Sequence, residues 1–231
     1  MLGLGNSISG MPYVSSAFNI NDLSPQLWLA FNTGQGAITD GIQWDDQSGN
    51  NRHASQTADA QEGSGFSGGA FVTDSGNNDN LDFASTFSDS GDYHVFMVLE
   101  LSEQNSETFL SSANNASFMR FAQSNDPTAF KMKNGGTVLN ITLSGGFGTE
   151  KAIAEVSRDS SNNVRVLRNG TSIGTGTGAG TFSFEQIGAS SGAASVTSAK
   201  IFEVVIFNSA LSSENAADVR NDIASRTSIS L

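Results

Sequence analysis

With two histidines, 23 carboxylates and no cysteine, the chain has few ways to do covalent chemistry. Glycan hydrolysis needs an acid and a nucleophile or base on carboxylates held a few ångströms apart. The nearest such set is Glu100, Glu103 and Glu107, which runs off the end of an apolar segment with like-charged spacing and reads as the wet margin of a strand. His53 and His94 stand in neither a metal-ligand spacing nor a nucleophile motif. No catalytic residue is assigned, and the protein is not expected to be an enzyme.

Binding is better represented. Sugar recognition uses an aromatic platform beside amides and carboxylates, and Trp44-Asp45-Asp46-Gln47-Ser48-Gly49-Asn50-Asn51-Arg52-His53 offers those groups together. Its candidate ligand-binding residues are Trp44, Asp45, Asp46, Arg52 and His53. Two readings of Trp44 stay open, a platform before a polar loop or a core residue, and core packing is the favoured one. Trp28, in an apolar segment, is expected in the core. The stretch 46–51 has the side chains of an Asx-type turn, so a structural role is sufficient for it. Asp79 and Asp82, in an Asn-rich turn, are candidate calcium ligands because hard oxygen donors suit Ca²⁺. EF-hand spacing is absent, and no other cofactor is expected. Gly174-Thr175-Gly176-Thr177-Gly178-Ala179-Gly180-Thr181 invites comparison with phosphate-binding loops, but Phe182-Ser183-Phe184 reads as more strand and no lysine follows, so it reads as a flexible hairpin connection.

The elements that must position these residues are strands. Lys200 to Leu211 contains the longest apolar run, rich in β-branched and aromatic residues, and predicts a central strand covered on both sides. Strict alternation puts Ile201, Val205 and Phe207 on one face with Glu203, and Phe202, Val204 and Ile206 on the other. Glu203 then needs donors, expected from backbone amides or a polar side chain of the 44–53 loop, and its role is structural. A second long strand covers 93–101. Shorter ones are predicted over 108–110, 118–121, 129–132, 138–143, 152–157 and 164–167, each bounded by Asn, Gly, Ser or Pro. Asn169-Gly170 signals a tight hairpin. Ser212 can cap a helix over 213–226, with Glu214 in its first turn and Arg226 in its last.

Composition bounds the partners. Eleven Lys and Arg against 23 Asp and Glu give a formal charge of −12 over 231 residues, which opposes nucleic acid and anionic membranes. No stretch approaches a membrane span. Residues 1–22, uncharged before Asp22, form an expected N-terminal arm; 23–231 form an expected single domain. A homo-oligomer is left open.

In their order along residues 25–226, the Trp44 to Ala54 segment, the 93–99 strand, Val164 to Gly170, Gln186-Ile187-Gly188, the 201–207 strand and the helix after it resemble the laminin-G-like, or concanavalin-A-like, lectin/glucanase superfamily. The resemblance implies an all-β jelly-roll sandwich of two antiparallel sheets with one C-terminal helix. Members that cleave glycans carry a Glu-x-Asp-x-Glu cluster on one strand, which this chain lacks. Residues 1–9 fused to such a domain are similar to structural proteins of tailed bacteriophages. That implies a non-catalytic virion component, a surface decoration or fibre-like protein that contacts other virion proteins through the arm and adheres to surface glycans. The location implied is the virion, otherwise extracellular. The alternative is a soluble carbohydrate-binding lectin.

Overall fold

The computed structural model describes residues 18–56, 65–73, 79–189 and 197–231. Residues 1–17 of the expected arm therefore lie outside the described residues. From Phe18 onward the chain packs: Asn19 caps a short 3₁₀ turn, Ile20–Leu23, and Ile20 is fully buried.

Among the described residues the strands are β1 (Leu27–Leu29), β2 (Gln35–Ile38), β3 (Gly41–Trp44), β4 (Ala54–Gln56), β5 (Gly65–Ser67), β6 (Ala70–Thr73), β7 (Leu81–Asp89), β8 (Tyr93–Leu101), β9 (Glu107–Ser111), β10 (Phe118–Phe121), β11 (Ala129–Asn134), β12 (Thr137–Thr142), β13 (Ala152–Arg158), β14 (Asn163–Arg168), β15 (Thr171–Thr177), β16 (Phe182–Ile187) and β17 (Ala199–Phe207). Helix α1 (Ser213–Thr227) follows. The strands form two antiparallel sheets. One has the order β15-β14-β13-β8-β17-β6-β5, with β1 sharing the edge of β17 beside β6; the other runs β12-β11-β10-β9-β16-β7-β4-β3-β2.

Residues on the facing sides of the sheets make the inter-sheet core, including Val95, Met97 and Leu99 of β8, Ile201, Val204 and Ile206 of β17, and Phe109, Phe121, Phe130 and Phe184. On the outer side of the first sheet, Phe96, Val98, Ile153, Phe202, Val205 and Phe207 lie beneath Ala216, Val219 and Ile223 of α1. That second layer is why β8 and β17 are apolar on both faces. The helix begins where Ser212 accepts the Asn215 amide at 3.1 Å, and it ends at Ser228 in a left-handed conformation.

Three local expectations change in the folded chain. Along β17, Ile201 pairs with Leu99 while Glu203 pairs with Val98, so Phe202 is the extra residue of a β-bulge. The bulge shifts the alternation: Ile201 joins Val204 and Ile206 inside, and Phe202 joins Val205 and Phe207 outside. Trp28 is half-buried in the layer under the helix, not in the inter-sheet core. Of the 174–181 stretch, the first four residues are not a connection but the greater part of edge strand β15, and 178–181 join it to β16. A Cβ built on Gly174 would come 2.7 Å from Ile141 Cγ2 and 2.8 Å from Leu143 Cδ2, and one on Gly176 3.0 Å from Ile141 Cγ1. The alternate glycines let the edges of the two sheets close against each other. Between β14 and β15, Asn169 and Gly170 both have positive φ, 49° and 80°, as a two-residue hairpin turn requires.

Candidate functional site

The 44–53 loop divides its candidate residues between packing and solvent. Trp44 is 0% exposed, and its indole N–H donates to the carbonyls of Ala30 (3.0 Å) and Thr33 (3.1 Å). Its ring meets Phe66 edge-on, so it cannot serve as a platform for a sugar. Asp46 is also buried. Its Oδ1 accepts the amides of Trp28 (3.0 Å) and Ser48 (2.9 Å); its Oδ2 accepts the Ser48 hydroxyl (2.8 Å) and the Arg52 amide (2.9 Å). Those four bonds consume the carboxylate in holding the loop to β1. Asp45 accepts from Gln43 Nε2 at 2.6 Å and lies 3.4 Å from His53 Nδ1. Because that Nδ1 accepts the Asp46 amide at 3.1 Å, the proton of a neutral His53 ring sits on Nε2.

Of the five, Asp45 borders a shallow hollow of about 200 Å³ beside β2 and β3, and Arg52 lines a deeper cleft. Arg52 Nη1 donates to the Gln26 carbonyl (2.7 Å) and to Gln26 Oε1 (3.2 Å). The guanidinium carbon lies 4.7 Å from the centre of the Phe87 ring, which stacks on Phe184 at 4.8 Å. Arg52 Nε is buried and meets no hydrogen-bond acceptor among the described residues. The cleft it borders holds about 290 Å³, lined in part by Gln26, Phe87, Ser88, Asp89 and Asn208. These residues come together from three strand ends. Ser88 and Asp89 close β7, Asn208 follows β17, and Gln26 precedes β1, where its amide donates to the Ile206 carbonyl at 2.7 Å. Asp89 Oδ1 accepts the Gly91 amide at 2.8 Å. Burial pushes the Asp89 carboxyl above its ordinary range, against the Gly91 N–H and the charge of Arg158. Two amides, a carboxylate, a guanidinium and hydroxyls can donate to and accept from neighbouring sugar hydroxyls.

The remaining carboxylates have other partners. Glu100 pairs with its cross-strand neighbour Lys200 at 2.6 Å, and Glu103 is exposed. Glu107 departs from the expected wet margin. It is fully buried, accepts the amides of Asn105 (3.0 Å) and Ser198 (2.7 Å), and is pushed up to about 7 by burial. With no exposure it reaches no ligand. Asp79 is buried, whereas Asp82 is exposed and accepts from Asn80 Nδ2 at 2.7 Å. No group of three His, Asp or Glu side chains fit for a metal gathers among the described residues, and 74–78 lie outside them.

Glu203 finds its donors on β1, after it, and on α1, not on the 44–53 loop. Its Oε1 accepts Trp28 Nε1 at 2.9 Å and pairs with Arg226; its Oε2 accepts the Phe31 amide at 3.4 Å. Arg226 also pairs with Asp222 and lies 5.3 Å from the Trp28 ring centre. A second buried network, which the sequence did not announce, pins the same helix. His94 Nε2 meets Glu155 Oε1 at 2.9 Å, Arg220 donates to Glu155 Oε2 at 3.0 and 2.8 Å, and His94 Nδ1 accepts the Leu211 amide at 3.3 Å. Burial raises the Glu155 carboxyl, but His94 and Arg220 outweigh it and hold the group below its ordinary value. Gln26, Phe87, Asp89 and Asn208 carried no signal as site residues, because each reads locally as the end of a strand or a turn.

Two antiparallel sheets backed by one C-terminal helix, with polar groups gathered at the strand ends, define a lectin-like β-sandwich. No family model and no curated protein matches the chain. Solved structures do. One is of botulinum neurotoxin type C, whose cell entry depends on interaction with two ganglioside molecules; it has 16% identity and a TM-score of 0.60 over 90% of this chain and 53% of that one. Another is the binding domain of botulinum neurotoxin DC in complex with rat synaptotagmin II, at 14% identity and TM-score 0.58 over 89% and 52%. The binding domain of Paraclostridial Mosquitocidal Protein 1 matches at 14% and 0.56 over 90% and 53%. The chain thus spans about half the length of the solved structures it matches. At these identities the likeness is one of fold.

Proposed function

We propose that this protein is a non-catalytic carbohydrate-binding module whose ligand occupies the cleft between Arg52 and Asp89. The observation that carries the reading is the convergence of Arg52, Asp89, Gln26 and Asn208 on one cleft of about 290 Å³. Asp89 accepts from a sugar hydroxyl that in turn accepts from Arg52, and the amides of Gln26 and Asn208 fix the next position. The ganglioside dependence of one structural neighbour supports the ligand class, though the likeness covers about half of that chain. Hydrolysis is not part of the reading, since the cleft has the single carboxylate Asp89 among its lining residues. The finer proposal of a virion decoration or fibre-like protein rests on residues 1–17, outside the described residues, and the structural neighbours named above add no support to it.

The test is a glycan array followed by titration of the best ligand. Asp89→Asn should weaken binding roughly tenfold or more, the usual effect of losing a hydrogen bond to a charged partner, and Asn208→Ala roughly fivefold, that of a neutral one, with thermal melts unchanged. An array without hits at high protein concentration, or hits that both variants retain, would overturn the proposal.

A further inference from the structure

At the other end of the β8–β13 pair, roughly 20 Å along the strands from the cleft, a second cavity of about 670 Å³ opens beside the 144–150 loop and the β14–β15 turn. Volumes of roughly 300 to 1,000 Å³ are usual for small-molecule sites. Arg168 is the one cation among its lining residues. The chain points this side chain inward: Val164 and Val166, at alternate positions of β14, belong to the inter-sheet core, and so does Ala154, the cross-strand partner of Arg168. An inward guanidinium should find acceptors. Arg168 Nε is buried and has none among the described residues, and the nearest carboxylate is Glu150, at 3.7 Å from Nη2 and 89% exposed. The head group is held instead by an aromatic, with its carbon 5.8 Å from the centre of Phe147.

The loop beside Arg168 is built, not incidental. Gly145 and Gly146 have φ of 75° and 73°, and a Cβ on Gly146 would come 2.6 Å from the Pro127 carbonyl oxygen, so only glycine lets the loop lie there. Gly148, also at positive φ, leaves room beside Arg168, where a Cβ would sit 3.7 Å from Nη2. Gln104, Asn169, Thr149 and Thr171 supply amides and hydroxyls around the same space. The Nη end of the guanidinium, on a side chain that is 29% exposed, matches a carboxylate end-on through two parallel bonds, and the surrounding neutral groups match sugar hydroxyls.

We propose that the Arg168 cavity is a second binding site, for a carboxylate-bearing sugar of the uronic acid type. The inference rests on the carbohydrate-binding reading for the class of its ligand, but not on the Arg52 cleft. Glu150 is the resident group that such a carboxylate displaces from Arg168, so the two side chains make opposite predictions.

The experiment titrates the full chain with glucuronate and with glucose by calorimetry, alongside Arg168→Gln, Arg168→Lys and Glu150→Gln. The parent should bind glucuronate at least about tenfold more tightly than glucose, the range of a charge-assisted pair. Arg168→Gln should erase that preference, Arg168→Lys should keep part of it because the charge survives without the fork, and Glu150→Gln should strengthen it. Asn208→Ala should leave it untouched. Glucuronate bound no better than glucose, or a preference that survives Arg168→Gln, overturns the proposal. A preference lost in Asn208→Ala but kept in Arg168→Gln also overturns it, while leaving the cleft reading standing. Thermal melts accompany each variant, and if Arg168→Gln fails to fold, Glu150→Gln decides: a glucuronate preference that it does not strengthen overturns the proposal.

Discussion

Replacing Glu203 tests how α1 is fastened to the sheet. The carboxylate is 0% exposed and accepts from Trp28 Nε1, the Phe31 amide and Arg226. Glu203→Ala leaves an indole N–H, a backbone N–H and a largely covered guanidinium without their acceptor. Breaking a buried ion pair by removing one partner costs about 3 to 5 kcal/mol. Arg226 retains Asp222 and is 28% exposed, so the lower end applies, about 3 kcal/mol. For a domain of this size each kcal/mol moves the midpoint by about 2 to 4 °C, so the melting temperature should fall by about 10 °C. Glu203→Gln keeps the shape and an acceptor for Trp28 but loses the charge opposite Arg226, and should cost about half as much. Burial raises the Glu203 carboxyl despite Arg226, so part of the cost of ionisation is relieved in the glutamine variant. Urea and thermal melts followed by tryptophan fluorescence read the effect directly, because Trp28 is a partner of the altered group. Midpoints for Glu203→Ala within about 2 °C of the parent would refute the reasoning. So would a glutamine variant as unstable as the alanine one. If Glu203→Ala melts like the parent yet loses ligand affinity, the carboxylate belongs to a functional site.

Gly174→Val should destabilise by about 1 to 3 kcal/mol, the cost of overpacking, because a Cβ there already sits 2.7 Å from Ile141; Thr175→Val, on the opposite face of β15, is the control, and equal melting temperatures for the two would reject the packing account. Glu107 binds its proton more tightly when folded, with a value of about 7 against an ordinary 4.5. The folded state therefore holds more protons between those values, and stability should decline as pH rises from about 4.5 to about 7. In Glu107→Gln that contribution to the slope should vanish, which denaturant titrations at pH 5 and pH 7 can measure; an unchanged slope would place the proton elsewhere. Sugar binding in the Arg52 cleft uses protein side chains throughout, so EDTA should leave it intact. Affinity lost on chelation and restored by calcium would bring Asp79 and Asp82 back as ligands.

Local chemistry alone determined the elements. The apolar runs of β8 and β17, the Asn169-Gly170 turn and the Ser212 cap each act through neighbours in sequence, by side-chain alternation, positive φ or an amide within one helical turn. These features define the two long strands, one hairpin turn and the start of the C-terminal helix before any long-range contact is known. Other assignments depended on register and burial, which join residues far apart in the chain. The bulge at Phe202 exists only as a mismatch between β17 and β8, and it decides which side chains accompany Glu203. Trp44 could face either way until Ala30 and Thr33 offered their carbonyls to its indole. The alternate glycines of β15 are legible only once Ile141 and Leu143 of the other sheet fill the space above them. Gln26, Arg52, Asp89 and Asn208 are brought together where β1 and β17 pair and β7 ends beside them. A binding surface made from strand ends has no local signature, because its geometry is set by how two sheets stack and not by the spacing of its residues.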